Sequence, residues 1–458
     1  MENINKKAYP ASFEEIKRMS VGEMEKHYEK YPDDFLIVDE DEKNLLFNEK
    51  DPEKVDFLLK IGLDPDLVSP YGMQETVLMS NIKNKEVFFL IANATKNINA
   101  VDAEGKNILH YLVEAFNLKN ENTKAALDLI TLFEYSLIKG ANPNHKDYTS
   151  NSSALLNAGR EMSKLLIEYG GDPHETFDYL TGVYNKKSLP ILLEKGSKWS
   201  FELFEENGGD IFAEASNEKN ALFYVESVEA LSYLLEKGLD INKKDKDGNL
   251  FLKAVLTRLV FPRDEIKDKI LFNLLDKYGF DYNNVNNDNK SIICHLDFYI
   301  KEFLDKGVNP NKAAGNEPNI LFLSGRNLRD EDFATILEHI DDLSAKNKEG
   351  EDLLSVFFDS LYRVKLLISK GADVNSVNDK GENILFYADI DVAEYLLNNT
   401  DIDYNSENID DMKPEDVNII PEVIDLIRAK RAKDEKAIIH KSIHSEKYDE
   451  TNKPKKRI

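Results

Sequence analysis

Apolar residues recur along the chain at the spacing of one helical face, and each face stops at a glycine. Counting back from Gly62, Gly196, Gly238, Gly307 and Gly371, apolar residues stand seven, four and three places earlier: Val55, Leu58 and Leu59; Leu189, Leu192 and Leu193; Leu231, Leu234 and Leu235; Ile300, Phe303 and Leu304; Val364, Leu367 and Ile368. Around Gly170 and Gly279 the triplet lies one residue further back, as Met162, Leu165 and Leu166 and as Leu271, Leu274 and Leu275. That spacing puts three side chains on one stripe of a helix. The Gly fits the left-handed position that closes it. A polar pair held one residue apart follows, such as Asp240 and Asn242, Asn309 and Asn311 or Asp373 and Asn375, and these residues suit turns.

Several turns run on into a second signal. Asp102–Gly105, Asp245–Gly248, Asn347–Gly350 and Asn378–Gly381 each lead into a short apolar stretch that predicts another helix, with Asn107, Asp352 and Asn383 placed as N-caps. The Gly-to-Gly intervals (30 from Gly140 to Gly170, 26 to Gly196, 30 from Gly208 to Gly238, 41 to Gly279, 28 to Gly307 and 64, or twice 32, to Gly371) give a period near thirty-one. A unit of that length, holding a turn and two short helices, cannot bury its stripe alone, so neighbours must stack.

This pattern resembles the ankyrin repeat. Its Thr-Pro-Leu-His helix start is matched best at Asn107-Ile108-Leu109-His110. Its Leu-Leu-x-x-Gly-Ala-Asp-x-Asn end is matched at Leu367 to Asn375. None of the copies keeps the Thr-Pro start, and copies near Ile98-Asn99 and Ile340-Asp341 lack the terminal Gly. The resemblance implies an all-α, ankyrin-like solenoid of stacked helix–turn–helix repeats with short hairpin loops and a helical cap at each end. The expected organisation is an N-terminal cap over 1–43, opened by the capping box at Ser12-Phe13-Glu14-Glu15 and helical to about Lys30; about eleven units over 44–405; a capping helix within 406–437, from Pro421 to about Ala437; and a basic, disordered tail over 438–458. The twelve residues from Gly196 to Gly208 are too few for two helices, so a half-unit or kink is expected around 200–212. Extra residues at Phe116–Lys124 and Thr257–Lys267 are expected to lengthen helices or add a second contact surface.

Charge changes the picture of partners. The 458 residues carry 59 Lys and Arg against 85 Asp and Glu, a net −26. An excess of that sign disfavours nucleic acid and points to a protein partner, a basic one above all. The C-terminal stretch from Arg428 is opposite, with eleven basic against five acidic residues, and Lys453–Arg457 matches a basic nuclear-localisation pattern. The lone Cys294 rules out an internal disulfide framework and cysteine-based zinc sites, which points to an intracellular, cytoplasmic chain. No secretory leader or membrane span is expected, and the chain is expected to be monomeric.

Candidate chemistry is sparse. Phosphate-binding glycine loops, the Gly-x-Ser-x-Gly elbow and His-Glu-x-x-His are absent from the sequence. His440 and His444 lack a third ligand, Cys294 and His110 fall on core positions of the repeat, and Gly208-Gly209-Asp210 reads as a helix stop. No cofactor and no metal is expected. The chain is therefore expected not to be an enzyme; a catalytic module would have to hide in 1–43, around Ser200 or after Asn405, and each is too short. What remains is a binding surface: the hairpin tips Ala103, Glu104 and Lys106, Lys246, Asp247 and Asn249, Lys348, Glu349 and Glu351, and Asp379, Lys380 and Glu382, all expected to be exposed on an acidic concave face. The leading expectation is a protein-binding scaffold, sharpened by the charge into an inhibitor or immunity protein against a basic toxin. The alternative is a secreted bacterial effector that binds host proteins.

Overall fold

The computed structural model describes residues 11–119, 123–176, 188–260, 264–296, 299–312 and 314–451. Among them the regular structure is helical, and strand pairing is limited to isolated bridges such as Val68 with Thr76 and Lys244 with Leu250. A short helix or single 3₁₀ turn alternates with a longer helix: Val77–Ser80 then Lys85–Ala94, Ala154–Leu156 then Arg160–Glu168, Ala221–Tyr224 then Val228–Glu236, Leu353–Val356 then Leu361–Ser369, Ile384–Phe386 then Ile390–Asn399. This order is compatible with a helical repeat solenoid.

Helices of three or four residues form almost no internal hydrogen bonds and do not persist alone. Their starts are fixed by buried caps. Asn383 Oδ1 accepts from the Leu385 N–H at 3.1 Å and Asp352 Oδ1 from that of Ser355 at 2.8 Å; Asn107 caps the ten-residue helix Ile108–Asn117 in the same way, its Oδ1 accepting from Leu109 and His110 at 3.1 and 3.4 Å. Their ends are fixed by side chains from a neighbouring pair. Lys195 Nζ donates to the carbonyls of Leu156 and Ala158, the Arg258 guanidinium to those of Phe223 and Tyr224, and Asn418 Nδ2 to those of Leu385 and Ala388. These are the carbonyls that a one-turn helix leaves without partners.

The chain forms two compact units, Met1–Ile241 with Ala254–Tyr278, and Asn242–Lys253 with Gly279–Ile458. In the first, each longer helix packs on the next, from Pro52–Lys60 through Lys85–Ala94, Lys124–Ile138, Arg160–Glu168, Lys198–Glu206 and Val228–Glu236 to Glu265–Lys277. In the second, Ile300–Asp305, Asp330–Leu337, Leu361–Ser369, Ile390–Asn399 and the final helix follow one another in the same way. The stripes form these cores: Val55, Leu58, Leu231, Leu234, Val364 and Leu367 are sealed from solvent.

Asparagine ties each pair to the next. The second residue of the polar pair after the helix stop reaches across with both ends of its amide. Asn144 Nδ2 donates to the Gly170 carbonyl at 2.8 Å while its Oδ1 accepts from Asp172 N–H at 2.7 Å. Asn99, Asn242, Asn283, Asn311 and Asn375 repeat the bridge onto Gly140 and Asn142, Gly279 and Asp281, Gly307 and Asn309, His339 and Asp341, and Asp401 and Asp403. The first residue of the pair stays local; Asp373, for example, accepts from Asn375 N–H at 2.9 Å.

The structure corrects four expectations. The N-terminal cap is two helices, Phe13–Arg18 and Val21–Tyr28, because Ser20 with Glu23 builds a second capping box that restarts the chain. The final helix runs from Pro421 to Thr451, so 438–451 is helical; Lys453–Arg457 lies outside the described residues. Residues 200–212 hold no half-unit, since Lys198–Glu206 is a full second helix stopped at Gly208. Gly196 accordingly is not a unit end. Leu192 and Leu193 belong to the short helix Ile191–Glu194, and Gly196 is the turn between two helices of one pair. The segments around 120–122 and 261–263 lie outside the described residues; the helices flanking them, Ile108–Asn117 with Lys124–Ile138 and Phe251–Val260 with Glu265–Lys277, are long for this chain.

Candidate functional site

The hairpins that link one pair to the next share one design. An Asp or Asn opens the turn, and its Oδ1 accepts from the N–H groups two and four residues on: Asp102 from Glu104 and Lys106, Asp245 from Asp247 and Asn249, Asn347 from Glu349 and Glu351, Asn378 from Lys380 and Glu382. The same turn recurs at Asp39, Asn286 and Asn408. Adjacent tips are joined through the backbone. Ala103 N–H donates to Met73 O and Tyr148 N–H to Glu104 O in the first unit; Asn287 N–H donates to Asp247 O and Ile409 N–H to Lys380 O in the second. A line of rigid, stapled turns results in each unit.

The twelve expected tip residues divide by their position in this turn. Ala103, Lys246, Asp247, Lys348, Glu349, Asp379 and Lys380 are exposed. Lys106, Asn249 and Glu351 are half-buried, because the residue after the turn glycine already returns to the protein; Glu104, just before Gly105, is half-buried as well. Lys106 reaches Glu114 at 2.7 Å and Glu104 at 2.9 Å; against the cost of burial these carboxylates hold its ammonium above the usual lysine range. Glu382 is buried, 8% exposed, and is removed from the contact surface. Its carboxylate accepts from Asn378 Nδ2 at 3.1 Å and Asn408 Nδ2 at 3.2 Å, so it joins two hairpins from within.

Sequence reasoning missed the apolar members of the line. Tyr71, Met73 and Tyr148 stand 55%, 43% and 66% exposed on tips that are hydrogen-bonded in series through Ala103 and Glu104. Tyr71 hydroxyl donates to Glu42 at 3.2 Å, and the Tyr148 ring lies over Gly105, where a Cβ would come within 2.6 Å of it. The result in the first unit is a ridge of large, half-exposed side chains set among Glu42 and Glu104. The available signal was an aromatic residue beside a turn former, at Tyr71-Gly72 and Asp147-Tyr148.

Of the groups set aside as structural, His110 is buried, whereas Cys294, expected at a core position, is half-buried. His110 Nδ1 lies 2.8 Å from Asn107 Oδ1 and Nε2 3.2 Å from the Ser152 carbonyl, and burial lowers its pKa. Burial pushes the Cys294 thiol up to about 11, away from the thiolate a nucleophile needs. Lys195, driven down to about 8 by burial, spends its ammonium on the two carbonyls named above. Among the described residues no three His, Cys, Asp or Glu gather as a metal cluster, and no helix is long and apolar enough to cross a membrane. The His444 side chain lies outside the described residues.

No family model matches the chain. It is similar to phosphocholine transferase AnkX of Legionella pneumophila, 26% identical over 216 residues that make up 44% of this chain and 22% of that protein. The chain thus spans about a fifth of its relative. This match overturns the expectation that the chain is not an enzyme, because a relative named as a transferase removes the ground for excluding catalysis.

Proposed function

We propose that the chain is an ankyrin-type repeat array of a bacterial effector, acting in a host cell and holding a host protein against its hairpin tips. The observation that carries this reading is the ridge of Tyr71, Met73 and Tyr148 among acidic neighbours. Exposed Tyr on a rigid turn offers large contact area at low entropic cost, and the buried stripes are already used in the core. Acidic flanks favour a basic patch on the partner and faster association at low salt. Similarity to a protein of Legionella pneumophila favours the effector role over the inhibitor or immunity role that net charge alone suggested.

Host-cell lysate passed over immobilised protein tests the proposal. Tyr71→Ala with Tyr148→Ala is expected to weaken capture of the retained protein by about tenfold or more, as for central aromatic anchors. Ile138→Ala, a change at an equally exposed residue on a longer helix, should leave capture unchanged. Equal capture by all three proteins would refute the ridge as the contact.

A further inference from the structure

In the second unit, a polar cavity of about 700 Å³ opens beside the hairpins around Asn289 and Gly315. Asn283, Asn289, Ser291, Asn309, Lys312 and Glu317 line it. The wall is made mostly of amides and hydroxyl. Several of these are already engaged: Asn283 bridges to Gly307 and Asn309, Asn309 Oδ1 accepts from Asn311 N–H at 2.9 Å, and Asn289 Nδ2 donates to Gly315 O at 3.4 Å. One group is not. Glu317 Oε2 is sealed from solvent with no hydrogen-bond partner, the one buried side-chain polar atom of that kind among the described residues.

A buried carboxylate oxygen without a donor forfeits more than an ordinary hydrogen bond would have gained. Glu317 also lines the cavity, so rotation of its side chain can bring the carboxylate to a donor that enters there. The carboxylate's broad, two-fold terminal torsion lets either oxygen meet it. We propose that this cavity binds a guanidinium group, received by the Glu317 carboxylate and by spare lone pairs of the surrounding amide oxygens. Three considerations select this chemistry. A divalent cation needs several oxygen ligands close around it, and no cluster of three acidic or imidazole groups exists among the described residues. A guanidinium is more weakly hydrated than an ammonium and carries five donors in a plane, which suits one carboxylate set among amide oxygens. The same unit already buries such a group, since Arg363 meets Asp330 Oδ1 at 2.9 Å and the carbonyls of Gly325 and Leu328 at 2.8 and 2.7 Å. Lys312, which also lines the cavity, is exposed. This inference stands on the cavity and does not depend on the ridge of the first unit.

The full chain, titrated with N-acetyl-arginine amide and followed by amide NMR, tests the assignment. Shifts are expected at Gly307 and Gly315, with the citrulline analogue, which keeps the shape and lacks the charge, binding at least tenfold more weakly. Glu317→Gln should reduce the affinity for the arginine compound about tenfold or more while the amide spectrum elsewhere stays that of the folded chain. A blocked Gly-Arg-Gly peptide distinguishes the source: tighter binding than free arginine identifies a polypeptide side chain, and weaker binding a small guanidinium metabolite. Equal binding of arginine and citrulline compounds, unaltered binding to the Gln variant, or absence of shifts at millimolar ligand overturns the proposal.

Discussion

Gly196→Ala is expected to destabilise the first unit by about 3 kcal/mol or more, well beyond the cost of a left-handed alanine alone. Gly196 has φ +67°, and a Cβ there would lie 1.9 Å from the Tyr224 carbonyl oxygen and 2.8 Å from its carbon. Backbone is what it meets, so no side chain can swing aside. The approach is held by a hydrogen bond in the other direction, Glu226 N–H to Gly196 O at 3.0 Å. Gly371→Ala is the matched control. Gly371 has φ +97° with open space around the added carbon, so only the conformational strain of about 1 kcal/mol applies. Urea denaturation of both variants measures the difference; equal losses would refute the placement of Gly196 inside a pair.

Arg363→Met is expected to cost the second unit about 3 kcal/mol. Arg363 is 8% exposed, and its guanidinium stacks within 5.0 Å of the Phe333 ring centroid and 5.3 Å of that of Phe357. Methionine keeps most of the packing but removes the guanidinium donor from the Leu328 carbonyl and leaves the Gly325 carbonyl only the Leu328 N–H at 3.3 Å, and that desolvation dominates the loss. Arg329→Met, which removes a guanidinium 61% exposed and paired with Asp332 three residues away, should cost less than about 1 kcal/mol. A comparable loss for both would mean that charge, and not burial of the carbonyls, sets the cost.

What the sequence disclosed was whatever depends on local periodicity. The stripes Leu231, Leu234 and Leu235 or Val364 and Leu367, and the caps Asn107, Asp352 and Asn383, are where spacing places them, because a helix face and its first turn are fixed within a few residues. Gly196 was misplaced for the same reason. Leu189, Leu192, Leu193 and Gly196 spell the unit-end pattern, and what distinguishes the position is Tyr224, 28 residues away. Asn144 and its counterparts read only as turn formers since their partners lie 24 to 43 residues off. Glu382 looked exposed by its distance from the hairpin, but the turn returns to the core one residue earlier than a tip-centred count assumes. Tyr71 and Tyr148 carried no periodic signal at all. The helix to Thr451 escaped notice because its Lys, Glu and Ala residues, good helix formers, lack an apolar stripe to announce it.

The tie between each pair and the next is tested most directly by hydrogen–deuterium exchange on Asn311→Ala. Loss of its bonds to the His339 carbonyl and the Asp341 N–H should speed exchange in Ile300–Asp305 and Asp330–Leu337 and leave Phe13–Arg18 through Arg160–Glu168 at their original rates. The same acceleration at every helix from residue 13 to 451 would contradict it, for then the chain would open as one body and not pair by pair.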